Sequence, residues 1–191
     1  AFSGSGLTAI DVPAGVSSLD NSVFSGCSSL TTVSFADDSE MTSVGTQFQN
    51  TGLVSLSLGT KVTSIATNAF KDLTALTTVT FASGSLLDSI GNDAFSGSGL
   101  TAIDVPAKVT NIAGAFKGAT SLATVTFASS PDIVTIGASA FQSCTSLGAI
   151  EIPSTVTSLG ASAFESCTSA SFAVTFASGS LLDSIGNDAF S

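Results

Sequence analysis

Three cysteines, fourteen carboxylates and four lysines carry the ionisable chemistry of this chain, which has no histidine, arginine, tryptophan or tyrosine. Without histidine it lacks the commonest general base and metal ligand. Without tryptophan and tyrosine it lacks favoured binding anchors. No catalytic residue and no cofactor is assigned from such a set, and an enzyme is not expected. The run Asp37-Asp38-Ser39-Glu40 gathers oxygen ligands of the kind calcium prefers, but it lacks the Asp-x-Asp-x-Asp-Gly loop and reads as a solvated acidic turn. Cys144 and Cys167 lie 23 residues apart, which the repeat described below places on neighbouring coils. That spacing is within disulfide range and would leave Cys27 over. The same coil position elsewhere holds Ser5, Thr51, Leu73, Ser98 and Ala119, so a semi-buried slot for free thiols is the favoured reading. A zinc site is excluded by the missing histidines and by cysteine spacing unlike that of a four-cysteine site.

Charge narrows the partners further. The formal net charge is −10 in 191 residues, and only 9% of residues are charged. Phosphate neutralisation requires clustered lysine and arginine, so nucleic acid is excluded as a partner. Docking on anionic lipid is disfavoured for the same reason. No apolar run reaches the ~18 residues of a spanning helix, so no direct membrane insertion is expected. Most of the surface must be serine, threonine, glycine, asparagine and alanine.

The elements that position these groups follow a repeat. Phenylalanine recurs at Phe2, Phe24, Phe48, Phe70, Phe95, Phe116, Phe141, Phe164 and Phe190, in steps of 21 to 26 residues. A period of ~20–29 residues marks a solenoid of stacked coils. After each ladder phenylalanine comes Leu-x-x-apolar-x-apolar, as in Leu53, Leu56, Leu58 and Leu76, Val79, Phe81. Its last two apolar positions alternate, which predicts a strand with one buried face. A second apolar group, such as Val62, Ile65 and Phe70, points to the same interior. The eighth coil departs from this, with Ser171 where leucine is expected and Phe172 one place off, which predicts a bulge or a shifted start to its strand. Coils of 24 to 26 residues end their strand in Phe35, Phe81, Phe127 or Phe176, and shorter coils end it in Val12, Leu58, Val105 or Ile152. The expected packing sets each large ring over a smaller side chain in the next rung.

Strand residues between the inward ones face solvent. The candidate contact positions are Asp11, Thr32, Ser34, Ser57, Thr78, Thr80, Asp104, Thr124, Thr126, Glu151 and Thr175. They form a broad face of methyls, hydroxyls and carboxylates suited to a protein or a glycan. The Thr-x-Thr pairs at 78–80 and 124–126 raise a minor alternative, ice binding, which the interspersed carboxylates oppose.

A longer period lies above the coils. Residues 1–14 recur as 94–107, and residues 80–96 recur identically as 175–191. The expected organisation is a single solenoid of about eight coils in two four-coil units, about 1–93 and 94–191, excerpted from a longer array. With no polar caps in view, joining of copies end to end, as a filament or coat, is the alternative to a binding role.

The run AFQSCTSLGAIEIPSTVTSLG at 140–160, with kin at 23–35 and 163–168, resembles the BspA-type leucine-rich repeat family. The resemblance implies a right-handed coil stack with a parallel sheet on the concave face. On the convex side it implies turns and short helical or 3-10 pieces. It also implies a non-enzymatic adhesion or binding module at the cell surface or outside the cell.

Overall fold

Each apolar-x-apolar segment forms a four-residue strand with one face in the core, and the Ser-Ile or Ser-Leu dipeptide that follows forms a second, shorter one. The computed structural model describes residues 2–36 and 38–191. In chain order the strands are β1 (Ala9–Val12), β2 (Thr32–Phe35), β3 (Ser43–Val44), β4 (Ser55–Leu58), β5 (Ser64–Ile65), β6 (Thr78–Phe81), β7 (Ser89–Ile90) and β8 (Ala102–Val105). They continue as β9 (Asn111–Ile112), β10 (Thr124–Phe127), β11 (Thr135–Ile136), β12 (Ala149–Ile152), β13 (Ser158–Leu159), β14 (Ala173–Phe176) and β15 (Ser184–Ile185). The result is a parallel-strand solenoid of about eight turns around one continuous apolar core.

The two-residue strands stack without interruption as a seven-stranded parallel sheet from β3 to β15. Of the turns and short helical or 3-10 pieces expected on the convex side, the described residues form turns and this second sheet but no helix or 3-10 segment. The long strands are divided instead: β1-β2-β4-β6 form one sheet, β8-β10 a second and β12-β14 a third. The last of these shows no bulge. β14 pairs with β12 at all four positions, and the extra residues of the eighth coil are taken up by the turn before it, where Phe172 N–H donates to the Ser169 carbonyl at 3.0 Å. Phe172 then tilts against Phe164, 6.0 Å between centroids.

The third side of each coil is the turn that carries the ladder phenylalanine. Nine rings form one stack, with successive centroids 5.2–6.2 Å apart and planes within 15°. The seven from Phe24 to Phe164 are buried, whereas Phe2 and Phe190 are 50% and 43% exposed, because each has a neighbouring ring on one side only. Left-handed residues two places before and after the ring bend the chain around it, as at Asn68 (φ 60°) and Asp72 (φ 59°) about Phe70. Short polar side chains and glycine tolerate that conformation best. The bend turns backbone amides along the stack: Phe70 N–H donates to the Ala94 carbonyl and Asp72 N–H to the Ser96 carbonyl, both at 2.8 Å.

The cysteines belong to this turn. All three thiols are free, and each donates to the carbonyl of the ladder phenylalanine one coil earlier: Cys27 to Phe2 (2.9 Å), Cys144 to Phe116 (3.2 Å) and Cys167 to Phe141 (3.3 Å). Burial pushes the Cys144 thiol far above the ordinary range, and neighbouring Cys167 adds to the rise. Burial likewise raises Cys167, to about 11.

Two expected outcomes follow from this packing. Above the ordinary thiol value of 9.0, the unfolded chain sheds thiol protons that the folded chain keeps, so stability falls as pH rises. The denaturant midpoint should therefore drop between about pH 9 and pH 11, and drop less in a Cys144→Ala/Cys167→Ala variant. An equal drop in both would show that these thiols are not the cause. Separately, a Cβ at Gly160 would lie 2.3 Å from the Ala138 amide nitrogen of the preceding coil, whereas one at Gly15 meets nothing within 4 Å. Thermal unfolding should show Gly160→Ala destabilised by about 2 kcal/mol or more and Gly15→Ala close to neutral.

Candidate functional site

The long-strand face is where the predicted contact residues come to the surface. Asp11, Thr32, Ser57, Thr78, Thr80, Asp104, Thr124, Thr126, Glu151 and Thr175 are exposed, and Ser34 is half-buried. Their neighbours Val33, Leu56, Val79, Ile103, Val125 and Ile150 point inward, as period-two alternation requires. Ser34 donates its hydroxyl proton to Asp11, and Thr126 does the same to Asp104.

The face is not uniform, because the strands associate in pairs. β1 with β2, β4 with β6, β8 with β10 and β12 with β14 each match at all four positions. The turns that follow continue the pairing: Ala82 N–H donates to the Leu58 carbonyl and Leu86 N–H to that of Thr60 in one pair, and Ala128 to Val105 and Asp132 to Ala107 in the next. Between pairs the association weakens. β2 meets β4 at three positions and not at Phe35, and no ladder joins β6 to β8 or β10 to β12. Each weak junction lies immediately after a strand ending in phenylalanine. The ring and the longer turn behind it close against the preceding coil and hold the following one off. Large rings set over smaller residues were expected to nest closely, and Phe35 does so at 5% exposure. Phe81 and Phe127 do not: both are half-buried and line openings, and Phe176 is 43% exposed.

Those openings are two grooves. The first, about 490 Å³, runs along the seam between β6 and β8, with Thr80, Phe81, Ala82, Asp104 and Pro106 on its walls. The second, about 500 Å³, lies between β10 and β12, with Thr126, Phe127, Ala128, Glu151 and Pro153 in the corresponding places; Thr126, Phe127 and Ala128 line the first groove as well, so the two adjoin. A smaller hollow of about 160 Å³ continues the first seam past Thr78. The structure thus brings together Thr78, Thr80, Asp104, Thr124, Thr126 and Glu151. Asp11, Thr32, Ser34 and Ser57 lie on the continuous four-stranded part, and Thr175 lies outside both grooves. Phe81, Phe127, Pro106 and Pro153 were missed as contact residues. Their signal was the alternation of strand-end size together with a proline straight after three of the four shorter coils' strands, at Pro13, Pro106 and Pro153. The same seams, and the engagement of Thr126 by Asp104, break the hydroxyl lattice that ice binding would use.

Electrostatically the grooves are acidic. Three of the four lysines are paired elsewhere, Lys61 with Glu40, Lys71 with Asp93 (3.3 Å) and Lys108 with Asp132 (3.0 Å). Of the predicted acidic turn, Asp37 lies outside the described residues, Asp38 is exposed and Ser39 is buried, its hydroxyl accepting from the Met41 amide. Among the described residues no three His, Cys, Asp or Glu side chains gather as a metal-binding group, and no helix is long and apolar enough to cross a membrane.

Comparison with known proteins agrees with this architecture. The family model described as BspA type Leucine rich repeat region matches residues 1–114 and 88–191, with six copies of the repeat. A search of curated proteins matched none. Among solved structures, the pneumococcal vaccine antigen PcpA is 28% identical, with a TM-score of 0.62 over 66% of this chain and 31% of its own. A leucine-rich repeat protein from Eubacterium ventriosum is 17% identical, with a TM-score of 0.66 over 97% of this chain and 59% of that one. One from Bacteroides ovatus is 22% identical, with a TM-score of 0.55 over 94% and 57%. The chain spans less than two thirds of the length of each. With a match that runs along the whole chain and a coil stack of the same kind, the chain belongs to the BspA-type leucine-rich repeat family.

Proposed function

We propose that this chain is a non-catalytic binding module of a cell-surface or extracellular protein, and that its long-strand face makes the contact. The observation that carries this reading is the pair of equivalent grooves, each bringing an aromatic edge, a proline, a hydroxyl and a carboxylate to one place on an otherwise flat sheet. Pockets of ~300–1,000 Å³ with a few convergent polar groups are the usual form of ligand sites. Extended solenoid faces are the usual contact surfaces of repeat proteins. Surface exposure fits a family relative that is a vaccine antigen. The partner is a protein or a glycan, since the net charge of −10 repels nucleic acid and anionic lipid.

A second reading, self-association of copies into a filament or coat, draws on the identical recurrence of residues 80–96 as 175–191. Sedimentation over a dilution series separates the two. A mass that stays at one chain supports the binding module, and one that grows with concentration transfers the function to assembly.

The face itself is tested by bulky substitutions at exposed positions that leave the core untouched. On arrays carrying both cell-surface proteins and glycans, the unmodified chain should capture a partner. A Thr80→Arg/Thr124→Arg variant should lose that capture by about tenfold or more. Undiminished capture by the variant would remove the long-strand face from the function.

A further inference from the structure

The two grooves are copies of one site. Thr80, Phe81, Ala82, Asp104 and Pro106 of the first correspond in order to Thr126, Phe127, Ala128, Glu151 and Pro153 of the second. They repeat every two coils because only the longer coils end a strand in phenylalanine. Successive rings of the phenylalanine stack are 5.5 and 5.4 Å apart from Phe95 through Phe116 to Phe141, so two coils advance by roughly 11 Å. A ligand lying along the solenoid axis therefore meets the same chemistry at that interval. Where the grooves adjoin it meets the exposed hydroxyls of Thr124 and Thr126 beside Phe127.

We propose that the paired grooves bind an extended β-linked glycan of uncharged or amino-bearing sugars, with one disaccharide per coil pair. The inference rests on the reading of the long-strand face as a binding surface. Four observations select this occupant. A pyranose ring has an apolar C–H face and a rim of hydroxyls, which matches a wall of phenylalanine, alanine and proline beside threonine and a carboxylate. The two-coil interval is close to the length of one disaccharide in an extended β-linked chain. The wall where the grooves adjoin carries the hydroxyls of Thr124 and Thr126, so an amphipathic helix would have to bury its apolar face on polar groups. Each groove holds a carboxylate in a chain of net charge −10, which repels uronate and sulfated polymers and welcomes hydroxyl or ammonium donors. Glu151 has no hydrogen-bond or ion-pair partner among the described residues, so its carboxylate is free to accept from a ligand. Asp104 accepts one hydrogen bond from the Thr126 hydroxyl, and its second oxygen remains for a sugar hydroxyl.

Occupying two linked sites turns the second contact into an intramolecular one. The test is calorimetric titration of the intact chain with β1,4-linked glucose and glucosamine oligomers of two, four and six units, and with polygalacturonate as the anionic control. The tetramers should bind about tenfold or more tighter than the dimers. Polygalacturonate should not bind. Thr80→Arg alone, or Thr124→Arg alone, blocks one groove and should return the tetramer to dimer affinity. Binding by glucose oligomers identifies the ligand as neutral, and binding confined to glucosamine oligomers identifies it as cationic. Affinity that does not change with length, or does not respond to either substitution, overturns the proposal. So does the absence of any oligosaccharide binding. If the arrays then show a protein partner sensitive to the same substitutions, the binding face stands and the glycan assignment falls; if they show no partner, both fall.

Discussion

One contact recurs in every coil, and the other contacts are arranged around it: a phenylalanine ring stacked on the ring before it and under the ring after it. Nearly parallel rings 5.2–6.2 Å apart are offset stacks, a favoured geometry worth ~0.5–1.5 kcal/mol beyond the burial of their area. Burying each ring contributes roughly 1.5–3 kcal/mol more. Neither term is large alone. Their effect comes from repetition, since one ring per coil fixes both the height and the rotation of every coil relative to its neighbours. The left-handed residues beside each ring then aim the turn's amides along the axis. The free thiols and the short-strand sheet occupy positions that this alignment sets.

Upon that single-coil period the chain imposes a period of two. The strand-end residue alternates between a ring and a smaller side chain, and the coil with the ring carries extra residues behind it. Amides of those residues, such as Ala82, Leu86, Ala128 and Asp132, bond back to the preceding coil. The ladder phenylalanines therefore make every step alike, while the strand-end phenylalanines make alternate steps unlike. The short-strand sheet follows the first rule and is continuous through seven strands; the long-strand sheet follows the second and divides. Surface chemistry arises at the conflict between them, where the core keeps the coils stacked and the strand ends hold them apart.

The coil period, the buried strand positions and the outward residues were all legible in the chain, because they rest on periodicities of about 23 and 2 that each coil states for itself. Val33, Leu56, Ile103 and Ile150 point inward, and Thr78, Thr80, Thr124 and Glu151 point out, as alternation requires. The second sheet was harder to see, since a two-residue strand such as Ser89–Ile90 is too short to show any period, and its existence depends on a partner more than 20 residues away. Large-small alternation was visible at the strand ends, but its consequence was not. A ring can nest against the next coil, as Phe35 does, or stand between coils, as Phe81 and Phe127 do. That choice depends on how the turn behind the ring packs. Half of the candidate site was therefore read from the sequence as hydroxyls and carboxylates, and the apolar half was assigned to the core.

The pairing of coils also bears on how such a molecule would break. In a linear stack each coil is held only by its neighbours, so its stability is a chain of interface terms. Here those terms alternate on the long-strand side, with full ladders inside a pair and none at the seams after Phe81 and Phe127, which the short-strand ladders and the ring stack still cross. A pull along the axis would open the long-strand side at those seams first, while the short-strand sheet still holds the coils together. The seams proposed as a binding site are thus the weakest steps of that side, and whatever bridges them would act as a splint.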